Sequence, residues 1–267
     1  MFTELQGLKI FYEFAGEGDT VVLMHGWGGQ VASLKPVFDY LSKGYKVYAF
    51  DFPGFGRSDL PPKTWGTEDY GKFVMKFLKA VNIEKANIVA HSFGGRVAIW
   101  LAANFPEMVN KLVLVDSAGI KPRRTLKHYI NIAIAKACKR ILLLPIFGRC
   151  GQSLLNNLYR LVGSKDYQQQ TGIMRATLVK VVNEDLRWLL PKIMAPALLI
   201  WGEDDKDVPL YYAKIMEKEI KDAGLVVLKG AGHFSYLDRF SDFCLIVSKF
   251  FGNIFLGILK GQSPKVL

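Results

Sequence analysis

Six apolar runs of strand length recur along the chain: "TVVLMH" (20–25), "YKVYAFD" (45–51), "NIVA" (87–90), "KLVLVD" (111–116), "PALLIW" (196–201) and "LVVLK" (225–229). They are rich in Val, Ile and Leu and lack polar alternation, the pattern of strands buried on both faces of a parallel sheet. Between them, "SLKPVFDYLSK", "TEDYGKFVMKFLKAV", "GGRVAIWLAANFP" and "PLYYAKIMEKEI" carry the 3.6-residue apolar spacing of amphipathic helices. Strand–helix alternation of this kind implies right-handed crossovers and a doubly wound, mostly parallel α/β sheet. "LKIFYEF" near the start adds an antiparallel edge strand. The alternation stops after Ser117. Residues 118–190 hold helical stretches ("LKHYINIAIAKACKRILLL", "MRATLVKVVNEDLRWLL") and no clear strand. The expected organisation is therefore an α/β core from residues 1–117 and 191–267, interrupted by an all-helical cap over 118–190.

Charge marks the same insert. The net charge of +11 is concentrated between Ala118 and Leu190, where 13 Lys and Arg face three acids, while the rest of the chain is close to neutral. Such a segment attracts an anionic substrate, an acidic carrier protein or an acidic membrane surface, or is simply a solvated helix face. Arg123, Arg124, Lys127, Lys136, Lys139 and Arg140 are its densest part. Nucleic acid is not expected as a partner, because no recognition motif accompanies the charge. No run approaches the ~18 apolar residues a spanning helix requires, and "MFTELQGLKI" lacks the basic-then-apolar pattern of a secretory signal. Cys138, Cys150 and Cys244 are odd in number and show no metal-ligand spacing. These features predict a cytoplasmic protein without a transmembrane segment, metal or cofactor.

The chemistry-bearing stretches all follow predicted strands. In "VAHSFGGR" (89–96), Ser92 is surrounded by small residues, Ala90 two positions before it and Gly94 and Gly95 after it, between a strand and a helix. Small residues there let strand and helix approach closely and leave one hydroxyl projecting from a sharp turn. The helix start adds positive dipole character beside it. "HGWGG" (25–29) follows the first parallel strand, "WGEDDKDVP" (201–209) ends a later one, and "GAGHFSYLD" places His233 in a Gly-rich loop after the last. A serine hydroxyl needs a base to accept its proton, and histidine is suited to that near neutral pH. "DFPGFGRSD" (51–59) contains Gly54-x-Gly56, but the third glycine and the following helix of a dinucleotide site are missing.

Taken together these motifs resemble the α/β-hydrolase family over nearly the whole chain. The family's elbow is usually Gly-x-Ser-x-Gly; here Ala90 replaces the first glycine. The resemblance implies Ser92 as nucleophile, Asp205 as acid and His233 as base, in the chain order this fold uses. Asp205 is chosen because the family pattern puts the acid three residues after Gly202 and four before Pro209. Asp204 and Asp207 remain neighbours able to cap the next helix, and Asp116 ends a strand where some members carry the acid. The backbone N–H groups of Trp27 and Phe93 correspond to the oxyanion hole, and "DFPGFGRSD" to a structural loop near it. His25, Arg175, Trp188 and Phe234 are candidates for lining a substrate pocket. His25 and His91 also adjoin turns, where imidazoles commonly serve packing and backbone hydrogen bonding, and His128 reads as solvated.

The implied activity is that of a serine carboxylesterase acting on a small or medium acyl or aromatic ester, which an anionic substrate would match through the basic cap. Serine at the elbow argues against the family's haloalkane dehalogenases and epoxide hydrolases, which require Asp there. Carbon–carbon hydrolases of aromatic ring-cleavage products and carrier-protein methyl esterases share similar motifs. A ligand-binding protein on the same fold is the alternative outside the enzymes.

Overall fold

The computed structural model describes residues 1–122, 138 and 170–252. Eight strands among them form one sheet in the order β1-β2-β4-β3-β5-β6-β7-β8. In chain order these are β1 (Phe2–Leu5), β2 (Leu8–Ala15), β3 (Thr20–Met24), β4 (Lys46–Phe50), β5 (Ala86–His91), β6 (Val109–Val115), β7 (Ala197–Gly202) and β8 (Ala223–Leu228). All pairings from β4 to β8 are parallel. All six predicted runs are strands. "LKIFYEF" is antiparallel as expected, but it lies inside the sheet, paired with β4 on one side and with β1 on the other. The sequence reading passed over β1. It is attached by a two-residue hairpin in which Gln6 and Gly7 both take positive φ, 57° and 74°, the geometry of a turn whose twist matches that of its strands.

Burial on both sheet faces follows from strand periodicity. Val89, Val113, Val115, Leu198 and Ile200 pack in one cluster with α1 (Lys35–Leu41) and α7 (Phe240–Phe251). Their alternates Ile88, Ala90, Leu112, Leu114 and Leu199 are equally buried and point to the opposite face. There α2 (Thr67–Ala80) and α3 (Phe93–Asn104) pack, with Phe50 of β4 set against Phe73 and Phe77 at ring separations of 5.8 and 4.6 Å. Helix α2 begins where Asp69 accepts a 2.7 Å hydrogen bond from the Gly66 amide, with Glu68 and Asp69 favourably placed at the positive helix end.

Two compact units are present, Met1–Ile120 with Glu184–Leu267, and Lys121–Asn183. Within the first, the points where the chain leaves and returns are stitched together: Leu186 N–H donates to Gly119 O at 2.8 Å, and Thr67 N–H to the Glu184 carboxylate at 2.9 Å. Arg96, itself buried, donates to Glu184 O at 3.0 Å. In the second unit, α4 (Gly172–Asn183) takes up the first part of the expected helical stretch "MRATLVKVVNEDLRWLL"; the later part is a short 3-10 turn, Arg187–Lys192, in the first unit. Apart from Cys138, the stretch 126–144 lies outside the described residues, as do the dense basic cluster from Arg123 to Arg140, His128, Cys150 and residues 253–267. Among the described residues the remaining α-helices are α5 (Tyr211–Glu219) and the single turn α6 (Ser235–Asp238). Among the described residues no helix is long and apolar enough to cross a membrane.

The order of strands determines where chemistry collects. From β3 the chain goes to β4 on one side and then, after α2, to β5 on the other. At such a reversal the loops leaving the carboxyl ends of the strands diverge and leave a crevice. The loops after β3, β5, β6, β7 and β8 all open at this end, and they carry Trp27, Ser92, Asp116, Asp205 and His233 respectively.

Candidate active site

Ser92 joins β5 directly to α3 with φ 49° and ψ −110°. This backbone conformation is rare for a residue with a Cβ and costs about 1–3 kcal/mol unless surrounding bonds impose it. Here they do. Ser92 N–H donates to Val115 O at 3.0 Å, and Ser92 O accepts from Ala118 and Arg96 amides at 3.0 and 3.2 Å. The helix also has to come very close to the sheet. A Cβ added at Gly94 would meet the carbonyl oxygens of Met24 and His25, the latter at 2.8 Å.

Three side chains from three loops meet in one hydrogen-bonded line. Ser92 Oγ lies 3.0 Å from His233 Nε2, and His233 Nδ1 lies 2.9 Å from Asp205 Oδ2. The other Asp205 oxygen accepts the amides of Asp207 and Val208 at 2.8 and 2.9 Å, which fixes the carboxylate plane. The loop is held from below by Trp201, whose indole N–H donates to Val208 O at 2.8 Å. Of the nearby acids considered from sequence, Asp204 and Asp207 are not joined to the imidazole, although the carboxylates of Asp205 and Asp207 and the His233 ring have donor atoms within 4.8 Å of one another. Both Asp205 oxygens are spent on orienting the loop and the imidazole. Burial disfavours charge on His233, but the hydrogen bond and charge of Asp205, with Asp116 and Asp207 adding, outweigh it and raise its pKa above the ordinary 6.5.

Phe93 opens α3, so its N–H is among the first four amides of the helix, which have no acceptor within it. Trp27 sits beside it, with the two rings edge to face at 5.2 Å. Phe55 packs against both, at 4.8 Å from Trp27 and 6.0 Å from Phe93. The loop that carries Phe55 wraps around Asp51, which accepts the amides of Val31 and Arg57 at 2.6 and 2.8 Å. Gly54 and Gly56 serve this turn with positive φ.

The pocket candidates separate. Phe234 is half exposed, and its ring lies 5.5 Å from that of His233 and 5.2 Å from that of His91, so it borders the line. His25 is fully buried and turned to the backbone: Nδ1–H donates to Gly26 O at 2.8 Å and Nε2 accepts the Phe52 amide at 3.0 Å. Burial lowers its pKa to about 4, so it is a neutral brace joining two loops. Trp188 is 62% exposed under Lys192 and lines a surface depression with Arg187, Pro191 and Glu219, none of which belongs to the hydrogen-bonded line. Arg175 lies on α4 in the second unit, its Nε donating to Gln170 O at 2.7 Å.

Of two further buried groups, His91 has the packing and backbone hydrogen-bonding role expected of it, whereas the role of Asp116 was not disclosed by the sequence. His91 donates from Nε2 to His233 O at 2.8 Å and packs with its ring centroid 4.9 Å from that of His233, tilted by 50°, and burial lowers its pKa to about 3. Asp116, at φ 45° after β6, accepts Gly202 N–H at 2.8 Å, Ser235 N–H at 3.1 Å and Ser235 Oγ–H at 2.6 Å. The available signal was its position, since it ends a strand as His91 does.

The fold and the elbow are those of an α/β hydrolase, and the family model described as alpha/beta hydrolase fold matches residues 19–133. Among similar proteins, an uncharacterized protein of Mycobacterium tuberculosis is 27% identical over 93% of this chain and 80% of its own length. The 2-hydroxy-6-oxononadienedioate/2-hydroxy-6-oxononatrienedioate hydrolase of Paraburkholderia phymatum is also 27% identical, over 92% of this chain and 91% of its own. The solved meta-cleavage product hydrolase from Pseudomonas fluorescens IP01 superposes with a TM-score of 0.69 at 26% identity, over 92% of this chain and 94% of that one.

Proposed function

We propose that the protein is a serine hydrolase that cleaves a carboxylic ester through an acyl-enzyme on Ser92. The observation that carries this reading is the continuous hydrogen-bonded line Ser92–His233–Asp205 at a strained strand-to-helix turn. In the first half-reaction His233 Nε2 takes the Ser92 proton as Oγ attacks the acyl carbon. The carbonyl oxygen becomes an oxyanion, for which the Trp27 and Phe93 N–H groups are the donors, and each such donor is worth about 10²–10³ in rate. His233 then passes its proton to the leaving alcohol. In the second half a water, deprotonated by the same imidazole, attacks the acyl carbon and releases the acid and Ser92 Oγ. Asp205 holds the proton on Nδ1 so that Nε2 stays free to accept.

Hydrolysis of a carbon–carbon bond in a ring-cleavage product is the second reading, favoured by the names of the relatives that match over more than nine-tenths of this chain. There the leaving group is a carbon acid, and the same base must return a proton to carbon. The test runs p-nitrophenyl esters of increasing acyl length in parallel with a 2-hydroxy-6-oxo-dienoate followed by loss of its absorbance, with Ser92→Ala as control. Ester turnover that disappears in Ser92→Ala supports the esterase. Dienoate turnover exceeding it by orders of magnitude in kcat/KM supports the carbon–carbon hydrolase, and no turnover of either from folded protein refutes both.

A further inference from the structure

We propose that Asp116 is a positioning residue, a buried carboxylate that ties the loop bearing Asp205 to the loop bearing His233 and so sets the hydrogen bond between them. The inference rests on the serine-hydrolase reading for its kinetic consequences, but not for its geometry. Asp116 leaves the sheet at the end of β6, beside β7 and one strand removed from β8. One oxygen accepts Gly202 N–H, three residues before Asp205; the other accepts both N–H and Oγ–H of Ser235, two residues after His233. A single carboxylate thus spans the ends of β7 and β8 from the end of β6. The two outer loops are in close contact here, since a Cβ at Gly202 would strike the carbonyl oxygens of Ala231 and Gly232.

The charge calls for an explanation that the turn alone does not give. Asp116 is fully buried, and among the described residues its hydrogen-bond partners are three neutral donors and no cation. Burying a carboxylate without a counter-ion is unfavourable, and burial raises its pKa to about 7. The positive φ would suit Asn or Gly equally well, and Asn would impose no such penalty. What a carboxylate supplies, and an amide cannot, is acceptance from three donors at once together with a negative field beside the imidazole. The ionisable groups facing this cluster are Asp205 and Asp207 from the loop after β7, His233 and Tyr236 from the segment after β8, and His91 from the end of β5. His91 is neutral and fixes the His233 carbonyl, so the carboxylates decide the charge state of His233. Asp116 and His233 titrate as interacting sites, with the Asp116 charge favouring the imidazolium.

The experiment compares wild type, Asp116→Asn and Ser235→Ala. It reads kcat, KM and the pH profile on the ester that wild type turns over best, and the His233 imidazole titration by NMR. For Asp116→Asn the expected results are a fall in kcat of about ten- to a hundredfold, as for loss of a buried charged hydrogen bond, little change in KM, and a His233 titration moved to lower pH. Ser235→Ala leaves the carboxylate in place but removes a donor that favours its charged form, so it is expected to lower kcat and to move the His233 midpoint in the same direction as Asp116→Asn, by less. A folded Asp116→Asn with unchanged kcat and unchanged midpoint overturns the proposal. If that variant does not fold, an unchanged kcat in Ser235→Ala overturns it. Because the NMR titration needs no substrate, failure of wild type to turn over any ester refutes the esterase reading while the Asp116 coupling is still measured.

Discussion

Replacing Asp205 with Asn separates geometry from chemistry with almost no change in volume. The side chain has two orientations to choose from. With its oxygen toward His233, its NH₂ would face the Asp207 and Val208 amides, which now donate to Oδ1 at 2.8 and 2.9 Å. Three donors would then crowd one site and two buried amides would lose their acceptor, at about 1–3 kcal/mol each. The amide therefore keeps its oxygen on the loop and turns NH₂ to His233 Nδ1. That nitrogen must become an acceptor, so the ring proton moves to Nε2, the atom 3.0 Å from Ser92 Oγ. An Nε2 that carries a proton cannot take one from serine. The wrong tautomer typically lowers kcat by about 10⁴-fold, roughly 5.4 kcal/mol on the barrier. The assay is p-nitrophenyl ester hydrolysis at saturating substrate, with thermal unfolding to establish that the variant folds like wild type. A folded Asp205→Asn retaining kcat within tenfold of wild type would refute the assignment of Asp205 as the orienting acid.

Other consequences are equally direct. Ser92→Gly should abolish ester turnover yet raise stability by about 1 kcal/mol in urea unfolding, because glycine takes φ 49° without strain. Gly94→Ala should destabilise by about 1–3 kcal/mol, since its Cβ meets backbone carbonyls that cannot withdraw; the calorimetric midpoint should fall by about 2–4 °C per kcal/mol. For wild type, kcat/KM should decline on the acid side with a midpoint above 6.5, where His233 becomes protonated. Asp116 binds its proton more tightly folded than unfolded, with a pKa of about 7 against 3.8. Its contribution to stability is therefore full below the unfolded value and is lost as pH rises through about 7, by up to about 4 kcal/mol. Part of that loss is already complete at pH 5, so urea unfolding at pH 5 and pH 8 should show about 3 kcal/mol of it in wild type and a smaller loss in Asp116→Asn; equal losses would contradict it.

The sequence by itself determined the sheet and the approximate address of the site. Runs such as "ANIVAH" and "ALLIWG" are buried at every position, and a strand covered on both faces is apolar except where a polar side chain near its end finds a hydrogen-bond partner, as Asn87 and His91 do, so its signature is local. The small residues around Ser92 are legible for the same reason, because a tight turn constrains its own neighbours. The hairpin at Gln6 and Gly7 was also locally encoded, but strand β1 is four residues long and half exposed, too short to show a period. Only the tertiary structure decided which ionisable groups work together. His25, His91 and Asp116 each end or follow a strand, and the motif pattern that singles out His233 and Asp205 does not say which groups these three bond to. Their partners are Phe52, His233, Gly202 and Ser235, 27 to 142 residues away. Hydrogen bonding and desolvation depend on which strands lie side by side, and that order is a property of the whole sheet rather than of any segment.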